Sequence, residues 1–569
     1  MNASGTVSGS VSGSLFASEF LAESVRELPE WEEARTDLAA RIAPRLRDIR
    51  GAFPAREDSN EAVTEDEFIW KVLGALGWTA ALRQQNLGLH GHRDVPDGVL
   101  FATEADKTQA LGVREEPRRY ATGVCLVESK RWGLDLDRAS GSHGIAPATQ
   151  MLRYLAEARV VTGGRLRWGI LTNGARWRIY HTDARSVADD FFEVDLEAAL
   201  GGTPTLFAPT PEEAADALAV FVLFFRRDAF HRRDADWKNL LDRALEGGRF
   251  LEERVSADLS EVVFREVFPS LVRAIAAQAG DVPLSEVRDA ALVLLYRLLF
   301  ILYAEDRRLL PVDDENYRAV GLRHRVRSDI AARLDRGEAF SAKATSYWHA
   351  VIDLCRVIDE GDPAFGLPPY NGGLFDPGRA PLLDRIALGN AALAPVVDAM
   401  ACRRTAEGRR YISYRDLSVQ QLGSIYERLL EHEVARDGTD VVVRPNALAR
   451  KDSGSYYTPE SLVRLIIRET LGPKVEDALT GFRGAAREFA DRGADGDPAA
   501  LAEADAAARL LDLRVCDPAM GSGHFLVSLV DYLTDRVIEA LAEAHKIAPD
   551  YESPVAARIE RIRETIQRN

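Results

Sequence analysis

The residues best placed for chemistry in the first half of the chain are two carboxylates and a lysine: Asp97, Glu128 and Lys130. Asp97 precedes one apolar run, and Glu128 and Lys130 close another. Two carboxylates on adjacent strands can hold a hard divalent cation such as Mg²⁺ through their oxygen atoms. Because residues i and i+2 of a strand share a face, we expect Lys130 beside Glu128, where it can orient an attacking water or stabilise a charged transition state. The pattern therefore predicts a divalent-cation site, with Asp97 and Glu128 as metal ligands.

Two strands and a helix must position these residues. Residues 93–101 predict a turn into a strand, and residues 123–130 predict a second strand. Upstream, the sequence predicts a helix that Thr64 caps and Gly77 ends, with Glu67 at the capping-box position. Glu67 is also a candidate fourth acidic ligand, although helix capping is the preferred interpretation.

The order Pro-Asp, strand, Glu-x-Lys resembles the PD-(D/E)xK nuclease fold. The next helix carries Gln150 and Tyr154 in the Q-x-x-x-Y pattern found after the lysine in restriction and recombination nucleases of this fold. Residues 168–180 then predict a strand, an Asn-Gly hairpin turn and another strand. The resemblance implies a catalytic site made of Asp97, Glu128, Lys130, Gln150 and Tyr154.

A Glu-x-Lys motif alone is weak support, and three interpretations stay open: an active nuclease, a degenerate nuclease and a chance match. Asp236-Trp237-Lys238 fits the same pattern, but it lies in a charged helical stretch without a preceding strand or Pro-Asp. We interpret that second match as unrelated. Lysine is rare in this arginine-rich chain, so a lysine at the required position favours the nuclease.

A second group of residues, near the C-terminus, has the spacing of a nucleotide-binding turn. Residues 513–516 predict a strand, a Gly-Ser-Gly turn follows, and an amphipathic helix begins at Phe525. Glycines let the backbone approach a ligand, and a helix N-terminus offers unpaired N–H groups to its polar atoms. The spacing matches neither the G-x-G-x-x-G fingerprint of dinucleotide enzymes nor the G-K-[ST] of a P-loop.

Asp517-Pro518 before this turn resembles motif I of the S-adenosylmethionine-dependent methyltransferases that modify adenine in DNA. An upstream Tyr-Thr-Pro segment resembles the motif that closes over the methionine part of the cofactor in those enzymes. A Gly-Ser-Gly turn alone is usually ordinary loop chemistry, but both motifs in this order argue against that. The resemblance implies that S-adenosyl-L-methionine is bound by Tyr457, Thr458, Pro459, Asp517, Pro518, Ala519, Gly521, Ser522, Gly523 and Phe525.

The segment between the two sites, residues 211–441, has a helical pattern. Residues 290–303 are nearly all apolar but too short to cross a bilayer, so they predict a buried core helix. Residues 370–375 and 417–427 resemble the connector between nuclease and methyltransferase in type IIG-like, single-chain restriction–modification enzymes. Pro368-Pro369-Tyr370 imitates the end of the catalytic N-P-P-Y loop, but Leu367 replaces the asparagine and the segment precedes the cofactor motifs. We interpret it as structural.

Composition limits the function classes. With 569 residues and 46% hydrophobic content, the chain can build three or four domains. Its net charge of −17 excludes a uniformly basic DNA-binding surface, so any DNA contact is local. Basic runs at residues 226–233, 323–327 and 403–410 are most simply solvated helix faces. Four cysteines without C-x-x-C spacing fit a reducing cytoplasm rather than a zinc or disulfide framework, and no apolar run reaches the roughly 18 residues of a membrane span.

The sequence therefore predicts a multidomain α/β chain. The predicted parts are a disordered tail (1–18), a PD-(D/E)xK nuclease-like α/β domain with leading helices (19–200), an all-α connector (201–440) and an incomplete, Rossmann-like start of an S-adenosylmethionine-dependent DNA methyltransferase domain (441–569).

The resemblance implies the N-terminal half of a bifunctional enzyme, a Mg²⁺-dependent endonuclease and adenine-N6 methyltransferase acting on double-stranded DNA. The N-P-P-Y loop and the target-recognition domain do not occur in the sequence, so we expect either a second polypeptide that completes the methyltransferase or a truncated sequence. Two alternatives stay open. One is a methyltransferase subunit of a phage-defence system whose nuclease-like domain binds DNA without cleaving it, and the other is a non-catalytic scaffold.

Overall fold

The computed structural model describes residues 10–22, 24–53, 60–87, 95–138, 146–182, 184, 190–201, 210–231, 238–312, 314–370, 373–405, 408–430, 432–438, 440–445, 458, 460–492, 496–518, 520, 523–547, 551, 553 and 555. They form a mixed α/β structure, so the prediction of a multidomain α/β chain is confirmed at this level.

A seven-stranded mixed sheet is the framework of the first half of the chain, with the strand order β1-β7-β6-β5-β4-β3-β2. Strands β4 and β5 are parallel, and the other neighbours in this sheet are antiparallel. The antiparallel β5–β6 pair confirms the predicted hairpin around Asn173-Gly174. The strands are β1 (Val11–Gly13), β2 (Ala81–Arg83), β3 (Gly98–Leu100), β4 (Cys125–Ser129), β5 (Trp168–Thr172), β6 (Arg176–His181) and β7 (Phe191–Asp195).

Helices surround this sheet on both faces. Turns of π-helix at Leu38–Ile42 and Glu65–Ile69 continue two of them, and 3₁₀ turns lie at Ser24–Glu27 and Tyr120–Thr122. The α-helices are α1 (Ser18–Ala22), α2 (Pro29–Asp37), α3 (Ala43–Ala52), α4 (Glu61–Thr64), α5 (Trp70–Ala75), α6 (Glu104–Leu111), α7 (Glu116–Arg119), α8 (Pro147–Thr162), α9 (Leu196–Ala199), α10 (Pro211–Phe225) and α11 (Arg227–Phe230).

Helix α8 makes the crossover between β4 and β5, because parallel neighbours cannot be joined by a tight turn. Gly169 of β5 lets the helix approach the sheet closely, since a Cβ atom there would lie 2.6 Å from Met151 Sδ. The helix is followed by Gly163, whose φ of 61° is the left-handed conformation typical of a helix C-terminus. The crossover thus fixes the helix that carries Gln150 and Tyr154 against the strand that carries Glu128.

The chain joins the sheet earlier than predicted. Strand β1 pairs with β7, and Phe16 is 1% exposed and packs 5.2 Å from Phe192 and 4.9 Å from Phe224, measured between ring centroids. The prediction of a disordered tail over residues 1–18 is therefore wrong from Ser10 onward. The Gly/Ser-rich composition suggested disorder, but backbone pairing to the edge of β7 and burial of Phe16 hold the segment. Residues 1–9 lie outside the described part of the chain.

The helix before β3 also begins earlier than predicted. Asn60 caps it, since the Asn60 side-chain oxygen accepts a hydrogen bond from Val63 N at 2.8 Å. Thr64 lies inside the helix, fully buried, and donates to the Asn60 carbonyl oxygen at 3.0 Å. The prediction that Thr64 is the cap is therefore wrong. Gly77 follows the end of this helical stretch with a φ of 89°.

The core of the sheet extends past the predicted boundary at residue 200. Helix α10 buries a row of apolar side chains from Ala217 to Phe225 in the same cluster as the sheet residues Trp177 and Phe192, and this cluster continues to Ala244. Trp177 lies edge-on to Phe221 at 5.5 Å between centroids. The first helices of the predicted connector therefore belong structurally to the sheet domain.

The connector is built around α14, which is buried along most of its length, as its apolar sequence predicts. Its helices are α12 (Leu240–Val262), α13 (Phe268–Ala279), α14 (Leu284–Asp306), α15 (Glu315–Arg318), α16 (Ser328–Asp335), α17 (Ser346–Glu360), α18 (Leu382–Arg385), α19 (Asn390–Ala401) and α20 (Val419–Leu430). Turns of π-helix lie at Val263–Val267 and Leu322–Arg327, and 3₁₀ turns lie at Pro363–Phe365, Pro377–Arg379 and Tyr414–Asp416.

The connector is not all-α, so that prediction is wrong. Two antiparallel hairpins interrupt the helices: β8 (Cys402–Thr405) with β9 (Gly408–Tyr411), and β10 (His432–Asp437) with β11 (Asp440–Pro445). The second hairpin turns at Gly438, whose φ of 63° is a left-handed conformation. The short strands are rich in arginine and valine, and the two strands of each hairpin satisfy their backbone hydrogen-bonding groups by pairing with each other.

The C-terminal part of the chain is helical where the structure describes it. The helices are α21 (Glu460–Arg492), α22 (Pro498–Glu503), α23 (Ala506–Leu511) and α24 (His524–Ile547). The predicted strand over residues 513–516 does not form: these residues have no strand partner among the described residues, and Val515 is 44% exposed. A lone strand leaves its backbone hydrogen-bonding groups unpaired, so the apolar sequence alone does not create one.

Within the described residues, no helix combines the length and the apolar character needed to cross a lipid bilayer.

Candidate functional site

The register between β3 and β4 brings the two predicted metal ligands together. Gly98 pairs with Val127, so Asp97, one residue before β3, comes opposite the end of β4. There Ser129 donates two hydrogen bonds to Asp97 Oδ2, from its backbone nitrogen at 2.7 Å and from its hydroxyl oxygen at 2.5 Å. Ser129 therefore fixes the orientation of the Asp97 carboxylate.

Glu128 and Lys130 share the opposite face of β4 from Ser129, as the two-residue periodicity predicts. Lys130 Nζ lies 2.6 Å from Glu128 Oε1, and the side chain of Lys130 is 11% exposed. The Lys130 backbone nitrogen donates to the Thr172 carbonyl oxygen at 2.8 Å, which extends the β4–β5 pairing by one residue. This backbone bond holds the lysine beside the glutamate.

The second oxygen of Glu128 is free to bind a ligand. Glu128 is 2% exposed, and its Oε2 atom is buried without a hydrogen-bond partner among the described residues. A buried carboxylate oxygen without a partner is costly, because it has lost its hydration without a replacement. A bound cation would remove that cost.

The donor set fits Mg²⁺. No group of three or more His, Cys, Asp or Glu side chains converges as a ready-made metal site within the described part of the chain. Two carboxylates are nevertheless the usual protein contribution to a Mg²⁺ site, since this ion keeps several waters and takes further oxygens from substrate phosphates. Asp97 and Glu128 supply that pair.

Electrostatics at the site favour a bound cation. Burial raises the pKa of Glu128, and the Asp97 carboxylate raises it further, to about 8, against the effect of Lys130. Burial also raises the pKa of Asp97, although the hydrogen bonds from Ser129 act in the opposite direction. Burial lowers the pKa of Lys130, but the Glu128, Glu61 and Asp97 carboxylates together outweigh it, so the net pKa lies above the ordinary value. The negative charges of Asp97 and Glu128 thus repel each other, and a bound divalent cation would relieve this repulsion.

Gln150 and Tyr154 lie one helical turn apart on α8 and bond to each other. Gln150 Nε2 donates to Tyr154 Oη at 2.8 Å, and Tyr154 is 4% exposed. Tyr154 belongs to the same buried cluster as Leu126, and Leu126 shares a face of β4 with Glu128, so the pair lies on the Glu128 side of the sheet. The structure brings Asp97, Glu128 and Lys130 into one linked group and places Gln150 and Tyr154 beside it as a second pair.

The helical stretch before β3 places acidic residues near the site, but the predicted residue, Glu67, is not among them. Glu67 points away, with 58% side-chain exposure, and forms an ion pair with Lys71. Glu61 Oε1 instead lies 3.4 Å from Lys130 Nζ. Glu65 is 6% exposed, accepts a hydrogen bond from Trp70 Nε1 at 2.7 Å and adds to the effect of burial in raising the pKa of Asp97.

Sequence reasoning missed Glu61, Glu65 and Ser129. The π-helical turn at Glu65–Ile69 shifts the helix face from the one that a regular 3.6-residue period predicts. The early helix start at Glu61 had one available signal, namely Asn60, a residue type that is strongly preferred as a helix cap.

Only part of the predicted cofactor site is described. Tyr457, Pro459, Ala519, Gly521 and Ser522 lie outside the described residues. Thr458, Asp517, Pro518, Gly523 and Phe525 are described.

The described end of the turn is a left-handed glycine followed directly by a helix. Gly523 adopts a φ of 79° and its nitrogen donates to the Met520 carbonyl oxygen at 2.8 Å. Helix α24 begins at the next residue, and the N–H groups of its first turn have no acceptor within the helix. Phe525 packs against the cluster of Val463, Ile467 and Leu529, which joins α24 to α21. The helices that follow the two predicted cofactor motifs in sequence therefore pack together.

The chain is similar to a known protein. At 24% identity over 485 residues, it matches a Methanocaldococcus jannaschii protein named "Putative type II restriction enzyme and methyltransferase RM.MjaORFECS2P". The match covers 77% of this chain and 38% of the relative, so the chain spans well under half of that protein's length. No family model matches the chain, and no solved structure matches it.

The segments that imitate catalytic motifs have other surroundings. Asp236 and Trp237 of the second Glu-x-Lys-like match lie outside the described residues, and Lys238 pairs with Glu246. The Tyr370 hydroxyl donates to the Leu309 carbonyl oxygen at 2.8 Å, and Leu367 is 3% exposed. The segment that ends at Tyr370 is therefore held by contacts within the connector.

Proposed function

We propose that this chain carries the Mg²⁺-dependent DNA endonuclease site of a restriction–modification protein, with Asp97, Glu128 and Lys130 as its catalytic residues. The observation that carries the proposal is the β3–β4 register, which sets Asp97 opposite Glu128 while Lys130 contacts the same glutamate. The similarity to a protein named as a restriction enzyme and methyltransferase supports the same class of activity. Double-stranded DNA is the proposed substrate.

Asp97 and Glu128 would hold the Mg²⁺ ion. Bound there, the ion would neutralise charge on the scissile phosphate and lower the pKa of a water molecule. Ser129 holds Asp97 Oδ2 by two hydrogen bonds, so the other Asp97 oxygen would be the one available to hold the metal. On Glu128, Oε2 would have that role, because Oε1 accepts the hydrogen bond from Lys130.

Lys130 acts as a cation in this scheme. Against the effect of burial, the Glu128, Glu61 and Asp97 carboxylates together keep the pKa of Lys130 above the ordinary value, so the ammonium group stays protonated at neutral pH. A protonated amine cannot take a proton from water, but it can orient the water and stabilise negative charge as it develops on the phosphate. Gln150 and Tyr154, fixed to each other on α8, are proposed to position the water or the phosphate from the neighbouring helix.

Cleavage of duplex DNA with and without Mg²⁺ tests the proposal. Lys130→Ala should lower the cleavage rate by about 100-fold or more, the usual effect of losing one group that stabilises transition-state charge. Lys238→Ala is the matched control, since this lysine is exposed and paired with Glu246, and the same change there should leave cleavage unchanged.

Equal cleavage by wild type and Lys130→Ala would overturn the assignment of Lys130. If wild type shows no cleavage even with Mg²⁺, S-adenosylmethionine and a downstream polypeptide, the nuclease proposal fails. In that case the nuclease-like domain has at most a DNA-binding role.

The second candidate function is binding of S-adenosyl-L-methionine for adenine-N6 methylation of DNA. The observation in its favour is the left-handed Gly523 at the start of α24, packed through Phe525 against the helix that follows the Tyr-Thr-Pro segment. The cofactor would supply an electrophilic methyl group. In this chain, the described residues Thr458, Asp517, Pro518, Gly523 and Phe525 would bind and orient it, together with Tyr457, Pro459, Ala519, Gly521 and Ser522.

The catalytic N-P-P-Y loop does not occur in these 569 residues, so methylation is proposed to need that loop from a further part of the same protein or from a second polypeptide. Calorimetric titration with S-adenosylmethionine tests binding by this chain. Methylation of duplex DNA, compared with and without a co-expressed downstream polypeptide, tests the activity. No binding at millimolar cofactor, alone or with that polypeptide, would exclude this function.

A further inference from the structure

Several arginines of the basic runs are ion-paired in the described part of the folded chain. The pairs include Arg226 with Glu33 at 3.3 Å, Arg409 with Asp335 at 2.6 Å and Asp398 at 2.7 Å, and Arg403 with Glu19. Arginines whose charge is already balanced by carboxylates gain little from binding phosphate, because the existing pair must be broken first. These paired arginines are therefore weak candidates for DNA contact.

A different group of arginines comes together only in three dimensions. Arg307 and Arg308 follow the C-terminal end of α14, and Arg415 lies more than a hundred residues later in the 3₁₀ turn Tyr414–Asp416. The Tyr414 nitrogen donates to Asp306 Oδ2 at 3.0 Å, which ties this turn to the end of α14. We call Arg307, Arg308 and Arg415 the arginine cluster.

Arg415 is held in the cluster from both sides. Its neighbour Tyr414 also donates, through its hydroxyl, to the Met400 carbonyl oxygen at 2.8 Å. Its other neighbour, Asp416, accepts hydrogen bonds at Oδ2 from the nitrogen and the hydroxyl of Ser18, at 3.0 and 2.5 Å. With both adjacent residues fixed, Arg415 stays near the other two arginines.

The nearby acids are engaged by groups other than Arg415. Asp416 accepts from Ser18, and Asp306 accepts from Tyr414 and forms an ion pair with Arg323 at 4.0 Å. Arg415 is half-buried and makes neither a hydrogen bond nor an ion pair with the described residues. Arg307 places its guanidinium 5.5 Å from the centre of the Tyr303 ring, and its buried Nε has no hydrogen-bond partner in the described part of the chain. Within that part of the chain, two of the three cations thus lack a paired anion.

The positive charges of the arginine cluster repel one another. Burial lowers the pKa of Arg415, and the charges of Arg308 and Arg307 lower it further, against the attraction of Asp416. The C-terminal dipole of α14 accounts for cations at Arg307 and Arg308, but Arg415 is on another element. A bound anion would relieve this repulsion, and guanidinium groups bind phosphate with two parallel hydrogen bonds.

We propose that the arginine cluster binds a backbone phosphate of duplex DNA. The proposal rests on the proposed function and deepens it, because it names where a chain of net charge −17 would contact its substrate. Phosphate contacts position a protein on DNA without reading its sequence. The cluster would therefore contribute affinity and orientation, not specificity.

Duplex binding as a function of salt tests the cluster directly. Fluorescence anisotropy of a labelled duplex, recorded with EDTA between about 50 and 200 mM salt, gives the slope of log K against log salt. Replacing Arg307, Arg308 and Arg415 together by glutamine should reduce that slope by about 0.9 for each phosphate that the variant no longer binds. Arg415→Lys keeps the charge and should retain most of the slope.

The matched control removes three arginines of the same connector that are exposed and ion-paired. These are Arg265, Arg288 and Arg356, which pair with Glu261, Asp289 and Asp353. Replacing them by glutamine makes the same change in net charge and should leave the slope unchanged. Thermal unfolding of the cluster variant should match or exceed that of wild type, since the substitution removes repulsion.

Three results would overturn the proposal: equal slopes in the cluster and control variants, no duplex binding by wild type, or thermal stabilisation by inorganic phosphate without duplex binding. The last result would identify a site for small anions. The nuclease proposal fails separately. If the chain binds duplex through the cluster but never cleaves it, the cluster proposal stands and the nuclease proposal fails. If the chain cleaves duplex and the salt slope of the cluster variant is unchanged, the nuclease proposal alone stands.

Discussion

The two candidate sites of this chain differ in what holds them. In the sheet domain, pairing between neighbouring strands fixes Asp97, Ser129 and Lys130. Hydrogen bonds then join Ser129 to Asp97 and Lys130 to Glu128. At the cofactor turn, the apolar residues 513–516 form no strand with the described residues, and the turn rests on the packing of α24 against α21. In both regions an apolar run leads into the candidate functional residues. Such a run thus forms a strand only where partner strands are present.

Strand register is what assembles a site of this kind. Glu128 is buried on a strand with neighbours on both sides, so its environment shifts its pKa and leaves one oxygen for a ligand. Cys516 and Val515 before the turn are exposed, so the residues that lead into Asp517 are not in a comparable environment. Substitutions and ligand titrations at each site can therefore test the sheet site and the cofactor turn independently.

The largest effect is expected for Glu128→Gln. The substitution keeps the size of the side chain but removes the charge that would hold the cation. Metal-dependent cleavage should fall at least about 100-fold, since metal-ion charge stabilisation amounts to several kcal/mol. Gly523→Ala, at the other site, should leave cleavage unchanged. If both variants lose cleavage equally, the two sites do not function independently.

The affinity for divalent cations should depend on pH at the sheet site. Because the pKa of Glu128 is raised to about 8, a cation must displace a proton from this carboxyl group at lower pH. Affinity should therefore rise with pH, by up to about tenfold per unit below pH 8, and level off above it. Calorimetric titration with Mg²⁺ or Mn²⁺ across this range measures it. A pH-independent affinity in wild type, identical to that of Glu128→Gln, would rule out Glu128 as the titrating ligand.

A smaller effect is expected for Ser129→Ala. The variant loses the hydroxyl donor to Asp97 Oδ2 and keeps the backbone donor, so the carboxylate is oriented less firmly. Metal affinity and cleavage should fall about tenfold, as for other residues that orient a metal ligand. Ser129→Thr keeps a hydroxyl and should restore most of the activity. Full activity in Ser129→Ala would mean that the backbone hydrogen bond alone is sufficient.

The smallest effect is expected for Gly523→Ala. A Cβ atom there would meet none of the described residues within 4 Å, so the only penalty is the left-handed backbone at a φ of 79°. That penalty is about 1 kcal/mol, and it should weaken S-adenosylmethionine binding in calorimetry without affecting Mg²⁺ binding.

Gly484→Ala is the matched control for this substitution. Gly484 lies inside α21 with equally open surroundings, and alanine there should stabilise the helix by up to about 1 kcal/mol in thermal unfolding. Unchanged cofactor binding in Gly523→Ala would argue that the turn does not approach the cofactor.

The local features of both sites follow from the amino-acid sequence alone. The Glu-x-Lys spacing placed Glu128 and Lys130 on one face of a strand, because side chains alternate across a sheet whatever the fold. The apolar periodicity predicted α14, the β5–β6 hairpin and the helices on either side of the cofactor turn, since each of these depends on residues close in the chain.

Which distant residues meet depends on the tertiary structure. The fold brings Glu61 and Glu65 near the site in place of Glu67, because a π-helical turn rotates that helix. It pairs Val11–Gly13 with a strand about 180 residues away and leaves residues 513–516 without a described strand partner, since pairing needs a neighbour that no local pattern specifies. It also pairs several arginines of the basic runs with carboxylates and gathers Arg307, Arg308 and Arg415, because charge balance depends on proximity across the fold rather than on spacing along the chain.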